Sequence, residues 1–254
     1  MSAALIGHTG FVGSTLARAG GFDACYNSSN IGEIEGRSFD RIVCAGVSAV
    51  KWLANKEPEA DWAGIQKLLG PLERVNAEVF TLISTVDVYP RPIGVTEGDR
   101  PDAAAAQPYG RHRLAIESWV QERFPTTHVV RLPGLFGQGL KKNIIFDMLT
   151  DNNLAVINPE SRFQWYDLAR LQADLARVEA EGLPLVNLAA EPVLTEDIRA
   201  RFFPDRRIGA EPAPAATYDM RSVHAERFGG SDGYQLRADE VMRRLGTFVA
   251  AARG

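Results

Sequence analysis

Short apolar runs alternate with longer amphipathic runs through the first half of the chain. In WAGIQKLLGPLERV the apolar positions fall on one helical face: Ile65, Leu68, Leu69, Leu72 and Val75. The short runs have the composition of strands: AALIG, DACYN, RIVCAG, VFTLIS and, farther along, THVVRLPGLFG and LPLVNLA. Strands that alternate with helices in this way predict an α/β fold built on a doubly wound parallel sheet.

Composition narrows the class of protein. The 254-residue chain has a formal net charge of −4 and no dense run of Lys or Arg, so we expect no nucleic-acid or membrane partner. No apolar run approaches the roughly 18 residues of a spanning helix, and we find no signal-peptide pattern, so the expected location is the cytoplasm. The four histidines lack metal-ligand spacing, and no metal site is predicted. Cys25 and Cys44 lie in apolar runs and are expected to be buried thiols.

The stretch LIGHTGFVGS places three glycines between the first predicted strand and a helix. In a dinucleotide-binding sheet, the amides of such a turn and the positive end of the helix face a phosphate. The spacing G-x-x-G-x-x-G differs from the usual G-x-G-x-x-G, and a tight structural turn also requires glycine. Because a strand precedes it and a helix follows, we interpret the stretch as the pyrophosphate turn of a Rossmann sheet, formed by Gly7, Thr9, Gly10, Phe11, Val12 and Gly13.

The end of the second predicted strand bears on the choice of dinucleotide. An acidic residue there binds the ribose 2′-hydroxyl of NAD, whereas the 2′-phosphate of NADP needs donors. Asn27, Ser28 and Ser29 stand at this end and can donate hydrogen bonds, which favours NADP. Glu33 and Glu35 follow closely and could serve NAD, so both cofactors stay open.

A hydroxyl and a tyrosine suited to proton transfer follow the fourth predicted strand. Thr85 lies in LISTVDVYP at the strand end, and Tyr109 lies in PYGRHRLAIE at the start of a helix. Beside a nicotinamide, such a tyrosine transfers a proton while the threonine hydroxyl holds the substrate oxygen. A free phenol has a pKa of about 10, so a nearby cation must favour the phenolate. Arg113, one helical turn after Tyr109, occupies that position.

Together these motifs resemble the extended short-chain dehydrogenase/reductases of the NAD-dependent epimerase/dehydratase family. The resemblance rests on GHTGFVGS, on Ala45 and Gly46 after the third strand, on STVDVY, on YGRHR and on VVRLPGLFGQGLKKN, and it covers essentially the whole chain. It implies that NAD or NADP binds at the sheet, with contacts from Ala45 and Gly46, and that the substrate is a nucleotide sugar. It also implies that Thr85 and Tyr109 fill the catalytic Ser/Thr and tyrosine positions.

Two positions depart from the family pattern. Arg113 stands where the family has lysine; it keeps the charge and can bind the cofactor ribose in a bidentate way, but it does not readily give up a proton. Dehydratases of the family carry two acids directly after the threonine, whereas this chain has Val86 and then Asp87. A 4,6-dehydratase is therefore disfavoured, and Asp87 is assigned to the substrate. The expected catalytic residues are Thr85, Tyr109 and Arg113, and Tyr109 and Arg113 are also expected to contact the cofactor.

The loop LPGLFGQGLKKN supplies candidates near the nicotinamide and the substrate. The resemblance implies that Leu132 and Pro133 contact the cofactor, that Leu135 contacts the substrate, and that Asn143 contacts the nucleotide-sugar diphosphate. Asn143 is equally suited to cap the helix that starts at IIFDML. Gln164 in SRFQWYDL can hold a base, sugar or phosphate, but a buried strand explains this segment at least as well.

These motifs predict a division of the chain into two parts. Residues 1–140 are expected to form a dinucleotide-binding domain with return segments near 165–190. Residues 141–164 and 191–254 are expected to form a smaller, less regular substrate-binding lobe towards the C-terminus.

The sequence thus predicts an NAD(P)-dependent oxidoreductase or epimerase that acts on a hydroxyl or keto carbon of a sugar nucleotide or related polyol. Arg113 motivates one alternative, a catalytically impaired dinucleotide-binding sensor or scaffold. A reductase of a non-sugar carbonyl is another. Relatives often pair two helices like those at 65–75 and 109–124 between subunits, so a homodimer is one expected assembly and a monomer the other.

Overall fold

The computed structural model describes residues 2–254. Its strands, in chain order, are β1 (Ala3–Ile6), β2 (Ala24–Tyr26), β3 (Ser38–Cys44), β4 (Asn76–Thr85), β5 (Thr126–Leu132), β6 (Gly134–Phe136), β7 (Arg162–Phe163), β8 (Trp165–Asp167), β9 (Leu185–Asn187) and β10 (Val193–Leu194). Six of them form one sheet in the order β2-β1-β3-β4-β5-β9. β1 pairs in parallel with β2 and β3, and β3 pairs in parallel with β4. The predicted doubly wound parallel sheet is confirmed.

The helices are α1 (Phe11–Ala19), α2 (Lys51–Lys56), α3 (Pro58–Leu72), α4 (Pro108–Arg123), α5 (Ile144–Thr150), α6 (Leu171–Ala180), α7 (Thr195–Phe202) and α8 (Ala238–Arg253). α3 and α4 begin with proline, which is tolerated there because a first-turn N–H has no helical partner. The predicted apolar face of α3 is buried at Ile65, Leu68, Leu69 and Leu72. Val75 lies beyond the end of the helix and is also buried.

The chain divides into two compact units. Among the described residues, unit 1 consists of 2–91, 99–131 and 171–186, and unit 2 consists of Pro92–Gly98, Leu132–Arg170 and Asn187–Gly254. Unit 1 holds the first strands of the sheet, and a large apolar cluster forms most of its core, with the rings of Phe80 and Phe124 stacked at a centroid distance of 4.3 Å.

The limits of the units differ from the predicted domain limits. Unit 2 begins at Leu132 and keeps residues 165–170, because β6 pairs in parallel with β8 and so joins these two segments. It also contains Pro92–Gly98, since Gly94 N–H donates to the Asp219 carbonyl oxygen at 2.7 Å. Backbone pairing between distant segments sets these limits, and composition along the chain gives little sign of it.

Unit 2 is more regular than the sequence suggested. β7 pairs with β10 in an antiparallel ladder, and β6 pairs with β8. The long helix α8 buries Val241, Met242, Leu245 and Val249 in an apolar core that includes Phe136 and Trp165. The proline-rich stretch near 212 lies outside these elements and is exposed.

The two cysteines differ in burial. Cys44 is buried at the end of β3, and burial raises the pKa of its thiol to about 11. Cys25 is exposed, so its predicted burial was wrong. β2 is a short edge strand of the sheet. Successive side chains of a strand point to opposite faces, so Cys25 is exposed while its neighbour Tyr26 is buried.

Candidate active site

Two of the three glycines after β1 are required by the protein's own backbone. Gly7 has φ of +86°, and a Cβ there would lie 2.4 Å from the carbonyl oxygen of Ala45. A Cβ on Gly13 would lie 2.0 Å from the carbonyl oxygen of Gly7. Close packing of the turn, α1 and the end of β3 therefore explains both residues without a ligand.

Gly10 has a different environment. It is the N-cap residue of α1 with φ of −76°, and a Cβ there would meet only the Gly7 carbonyl oxygen, at 3.4 Å. No side chain caps the helix, so the first-turn amides of Phe11, Val12 and Gly13 lack a helical acceptor. These amides lie at the end of β1, where the strand order reverses between β2 and β3. Such a helix N-terminus fits the pyrophosphate of a dinucleotide.

The turn after β2 contains the residues that were predicted to select the cofactor. Asn27 Oδ1 accepts hydrogen bonds from the N–H and the hydroxyl of Ser29, at 2.8 and 2.6 Å. Asn30 Oδ1 in turn accepts a hydrogen bond from the Asn27 N–H at 2.7 Å. Ser28, Ser29 and Thr9 are exposed. The side-chain oxygens of Asn27 and Asn30 therefore stabilise the turn itself, whereas the side chain of Ser28 lies at the surface.

Ala45 and Gly46 follow β3, the neighbour of β1. The Ala45 N–H donates to the Ile6 carbonyl oxygen at 2.8 Å, which extends the pairing of the two strands to their carboxyl ends. A Cβ on Gly46 would lie 2.9 Å from Ile6 Cγ2. The fold thus brings Ala45 and Gly46 against Gly7, as a shared binding site at this edge of the sheet requires.

Thr85 and Tyr109 meet although β4 and α4 are far apart in sequence. Thr85 ends β4, its Oγ1 accepts a hydrogen bond from the Asp87 N–H at 3.1 Å, and its side chain lies near enough to the Tyr109 phenol to favour the phenolate. A Cβ on Gly110 would lie 2.0 Å from the carbonyl oxygen of Asp87. Gly110 therefore permits the close approach of α4 that brings the two hydroxyls together. Sequence reasoning missed it, although a glycine in the first turn of a helix is unfavourable and was an available signal.

Burial dominates the acidity of Tyr109. Its side chain is 7% exposed, and burial raises the pKa of the phenol, as does the charge of Asp87. Arg113, the Thr85 hydroxyl and Lys51 act in the opposite direction, but the pKa stays above its ordinary value. The expected lowering of the pKa is therefore wrong for the protein alone. The phenol keeps its proton at neutral pH and is poised to donate it.

Arg113 is held by an acid, Asp61, that no sequence motif pointed to. Its two terminal nitrogens donate to both carboxylate oxygens of Asp61 and to the carbonyl oxygens of Ser48 and Tyr109. The guanidinium carbon lies 4.0 Å from the centroid of the Tyr109 ring. Because Arg113 has five N–H groups, only Nε stays without an acceptor among residues 2–254. The predicted bidentate contact with a cofactor ribose is therefore not available in this conformation.

Asp61 carries its charge in spite of partial burial. Burial acts to raise its pKa, but hydrogen bonds and charge from Arg113 and His112 outweigh that effect and hold the pKa below its ordinary value. His112 Nδ1 lies 2.8 Å from Asp61 Oδ2. The cation against Tyr109 is thus a fixed ion pair that stabilises negative charge near the ring without taking part in proton exchange.

A second buried network supports the end of β4. Glu117 of α4 binds Arg131 of β5 through both oxygens, at 3.0 and 2.6 Å, and accepts a hydrogen bond from the Ser84 hydroxyl. Arg131 also donates to the Tyr89 hydroxyl at 2.6 Å. Sequence reasoning did not identify this network. It connects both sides of Thr85 to α4, and removing one buried charge of such a pair is strongly destabilising.

The residues of unit 2 that were predicted to contact cofactor or substrate differ in their burial and in their hydrogen-bond partners. Leu132 and Pro133 are buried, and Leu135 is partly exposed. Asn143 is the N-cap of α5: its Oδ1 accepts from the N–H groups of Ile145 and Phe146, and its Nδ2 donates to the Leu135 carbonyl oxygen at 2.8 Å. The capping role is the one that the structure displays.

Gln164 is a structural residue in this conformation. Its side chain is buried, with 1% of the residue exposed. Nε2 donates to the carbonyl oxygens of Ala190 and Met220, and Oε1 accepts from the Met220 N–H at 2.8 Å. The predicted contact with substrate stays a prediction, and in this conformation these backbone groups occupy the side-chain amide.

Other features of the described residues contribute no chemistry at this site. A cavity of about 680 Å³ in unit 2 lies beside β10, α7 and α8, and none of the predicted site residues lines it. Within residues 2–254, no cluster of three or more His, Cys, Asp or Glu side chains has the arrangement of a metal site. No helix in that range combines the length and the hydropathy needed to cross a membrane.

Solved structures share this architecture over the whole chain. The UDP-glucose 4-epimerase of Thermotoga maritima, solved with UDP-glucose, superposes with a TM-score of 0.75 at 13% identity, covering 100% of this chain and 99% of that one. The dTDP-4-dehydrorhamnose reductase of Bacillus anthracis, in complex with NADP, gives 0.72 at 17% identity, with 99% of both chains covered. The chain has the fold of an extended short-chain dehydrogenase/reductase. The fold implied by the sequence resemblance is confirmed.

A third structure with this fold is the UDP-glucose 4-epimerase of Stenotrophomonas maltophila, solved with NAD and formylated UDP-arabinopyranose. Its TM-score is 0.70 at 11% identity, and the match covers 100% of this chain and 99% of that one. No protein-family model and no curated protein matches the sequence. At these identities the likeness establishes the dehydrogenase/reductase fold, and the function has to be argued from the site.

Proposed function

We propose that this protein is an NAD(P)-dependent oxidoreductase or epimerase of the extended short-chain dehydrogenase/reductase family. It acts on a hydroxyl or keto carbon of a sugar nucleotide or related polyol. One observation carries the proposal: Tyr109 is buried beside Thr85 and lies against the Arg113 guanidinium. A buried phenol with a fixed cation at its face suits proton transfer better than it suits packing alone. The three structures with this fold act on or bind such sugar nucleotides and cofactors, as described above.

The residues divide the work as follows. The bound dinucleotide accepts or supplies the hydride. The Tyr109 hydroxyl donates its proton to the substrate oxygen during reduction and receives one during oxidation. The Thr85 hydroxyl orients that oxygen, and the ion pair of Arg113 with Asp61 stabilises the phenolate that forms when the proton leaves. Asp87, whose N–H donates to Thr85, is assigned to the substrate side.

The glycine turn is the proposed pyrophosphate site. Gly10 leaves room for a phosphate, and the amides of Phe11, Val12 and Gly13 point from the first turn of α1. Asn27, Ser28 and Ser29 provide donors for a 2′-phosphate, which favours NADP over NAD, and Ala45 and Gly46 complete the edge of the site. A titration with each dinucleotide, followed by protein fluorescence, measures this preference.

Substitution of Tyr109 tests the proposed chemistry. Tyr109→Phe removes the proton donor and keeps the ring against Arg113, so turnover of a reactive sugar nucleotide should fall by roughly 10²- to 10⁴-fold. The affinity for the dinucleotide should stay near the wild-type value, since the variant keeps the aromatic ring in place. The measurement is steady-state turnover over a panel of sugar nucleotides, together with the dinucleotide titration.

Two outcomes would contradict this assignment. Unchanged turnover in Tyr109→Phe would remove Tyr109 from the chemistry. A wild-type protein that binds dinucleotide tightly but turns over no sugar nucleotide or other carbonyl would instead favour a sensor or scaffold, the alternative that Arg113 motivates.

A homodimer through α3 and α4 and a cytoplasmic location are also proposed. On α4, Ile116 and Val120 are buried within the chain, as is Phe124 just after the helix, whereas Leu114 and Trp119 are partly exposed. The adjacent α2 exposes Trp52 and Leu53 at 68% and 38%. Exposed apolar residues near these helices support a contact with a second copy, and sedimentation at micromolar concentration distinguishes the dimer from a monomer.

A further inference from the structure

A second cation lies at the candidate site and comes from a different helix. Lys51 is the first residue of α2, and its Nζ lies 2.7 Å from Asp87 Oδ1. The Lys51 side chain is 43% exposed, so its ammonium keeps contact with solvent while it pairs with the carboxylate. A lysine in this position can exchange protons with water, as the buried Arg113 cannot.

Asp87 connects this ammonium to Thr85 and to the first turn of α4. The Asp87 N–H donates to Thr85 Oγ1 at 3.1 Å, and the Asp87 carbonyl oxygen packs against the Cα of Gly110, the residue after Tyr109. The carboxylate that binds Lys51 therefore belongs to the short turn Val86–Val88, which follows Thr85 and packs against Gly110 in the first turn of α4. Three independent contacts, at Lys51, Thr85 and Gly110, fix the position of this turn.

Arg113 cannot renew the proton of Tyr109. A guanidinium has a pKa above about 12, and four of its five N–H groups are hydrogen bonded in this structure. It is also buried, with 4% of the residue exposed. Its charge stabilises a phenolate, but a proton must still reach that phenolate from solvent before the next turnover.

We propose that Lys51 is the proton-exchanging cation of this site, a role that the lysine of the family pattern would fill four residues after Tyr109. The proposal rests on the proposed function. When Tyr109 gives its proton to the substrate oxygen, its O–H bond breaks and a phenolate forms. An N–H bond of the Lys51 ammonium then breaks, the phenolate regains its O–H bond, and the neutral amine takes a proton from solvent. In oxidation the same protons move in the reverse direction.

The charged groups that face Tyr109 determine how the exchange depends on pH. On its own helix Arg113 carries a permanent positive charge, and Asp61 of α3 lies behind Arg113 and balances it. From the turn after β4 Asp87 contributes a negative charge, and from α2 Lys51 contributes a positive charge. Loss of the Lys51 charge leaves Asp87 unbalanced beside the phenol, so both effects raise the pKa of Tyr109.

A titration without substrate measures the coupling of the two side chains. The protein is labelled with ¹³C at the ζ carbon of tyrosine, and the Tyr109 resonance is assigned as the one missing in Tyr109→Phe. We expect Lys51→Met to raise the pKa of Tyr109 and Lys51→Arg to leave it at the wild-type value, because arginine keeps the charge. Lys56→Met, at the exposed end of the same helix, is the matched control and should leave the titration unchanged.

Turnover then separates charge from proton exchange. Both Lys51→Met and Lys51→Arg should lower kcat by roughly 10²-fold, since neither side chain exchanges a proton near neutral pH, whereas Lys56→Met should keep the wild-type kcat. Wild-type turnover in Lys51→Arg would overturn the proposal. So would a pKa of Tyr109 that Lys51→Met leaves at the wild-type value. Absence of turnover in the wild-type protein would instead contradict the proposed function, and the titration would still report the coupling.

Discussion

The polar site residues predicted in the two units differ in whether backbone groups already occupy their polar atoms. In unit 1 Thr85 and Tyr109 converge, and a substrate oxygen can join the two hydroxyls. In unit 2 Asn143 and Gln164 each make three hydrogen bonds to backbone groups near them, and these bonds occupy the side-chain amide. A residue type suited to ligand binding is therefore weak evidence of a site until the partners of its polar atoms are known.

The physical reason lies in the backbone around each residue. Irregular segments leave N–H and C=O groups without partners in a ladder or helix, and buried groups of this kind must be satisfied by side chains. Gln164 and Asn143 serve such segments, at the bridge to Met220 and at the start of α5. The hydroxyl oxygen of Thr85 accepts a hydrogen bond from one turn amide, and its O–H group is still able to donate.

The largest expected effect on this comparison comes from Gln164. Gln164→Leu leaves three buried backbone groups without partners, and the free energy of unfolding should fall by about 3 kcal/mol or more. Gln66→Leu, on the exposed face of α3, is the matched control and should change stability by less than about 0.5 kcal/mol. Denaturant unfolding measures both variants. A Gln164→Leu protein of wild-type stability with weakened substrate binding would return Gln164 to the substrate side.

Gly10 tests the ligand end of unit 1. Gly10→Ala should weaken dinucleotide binding about tenfold, because the methyl group occupies the space left for a phosphate. Its φ is already suited to alanine, so the free energy of unfolding should change by less than about 1 kcal/mol. Gly64→Ala is the control, since a Cβ there meets no heavy atom within 4 Å. Wild-type affinity in Gly10→Ala would show that no phosphate approaches this residue.

Asn143 should give the smallest effect. Asn143→Ala removes the cap of α5 and should lower the free energy of unfolding by about 1 kcal/mol. Asn143→Asp keeps an oxygen for the two amides and should retain most of that stability, although it loses the donor to Leu135. Thermal unfolding compares the variants. If Asn143→Asp were fully stable but raised the KM for a sugar nucleotide tenfold, the diphosphate contact predicted from the resemblance would gain support.

Several features of the fold could be predicted from neighbouring residues. The alternation of apolar runs predicted the parallel sheet, and the spacing of Ile65, Leu68, Leu69 and Leu72 predicted the buried face of α3. Cys25 shows the limit of this reasoning, because its apolar run predicted burial but β2 lies at the edge of the sheet. Edge and centre depend on strand order, which no local pattern states.

The candidate site was predictable in its residue types and less so in its connections. Tyr109, Thr85 and the glycine turn could be identified because each stands at a strand end or helix start, and those ends meet at one edge of a doubly wound sheet. The partner of Arg113 could not, since Asp61 lies 52 positions away and any of many acids could have filled the place. The same holds for Lys51 and Asp87, which are 36 positions apart.

The elements, their order and the chemical groups at their ends could be predicted from local patterns, because backbone periodicity and glycine requirements act over a few neighbouring residues. Which polar atoms are occupied, and which cation faces which acid, became known from the folded chain. Those choices depend on packing between distant segments, as when Gly110 lets α4 reach the turn that holds Asp87. In this protein, they separate the fixed charge of Arg113 from the exchangeable proton proposed for Lys51.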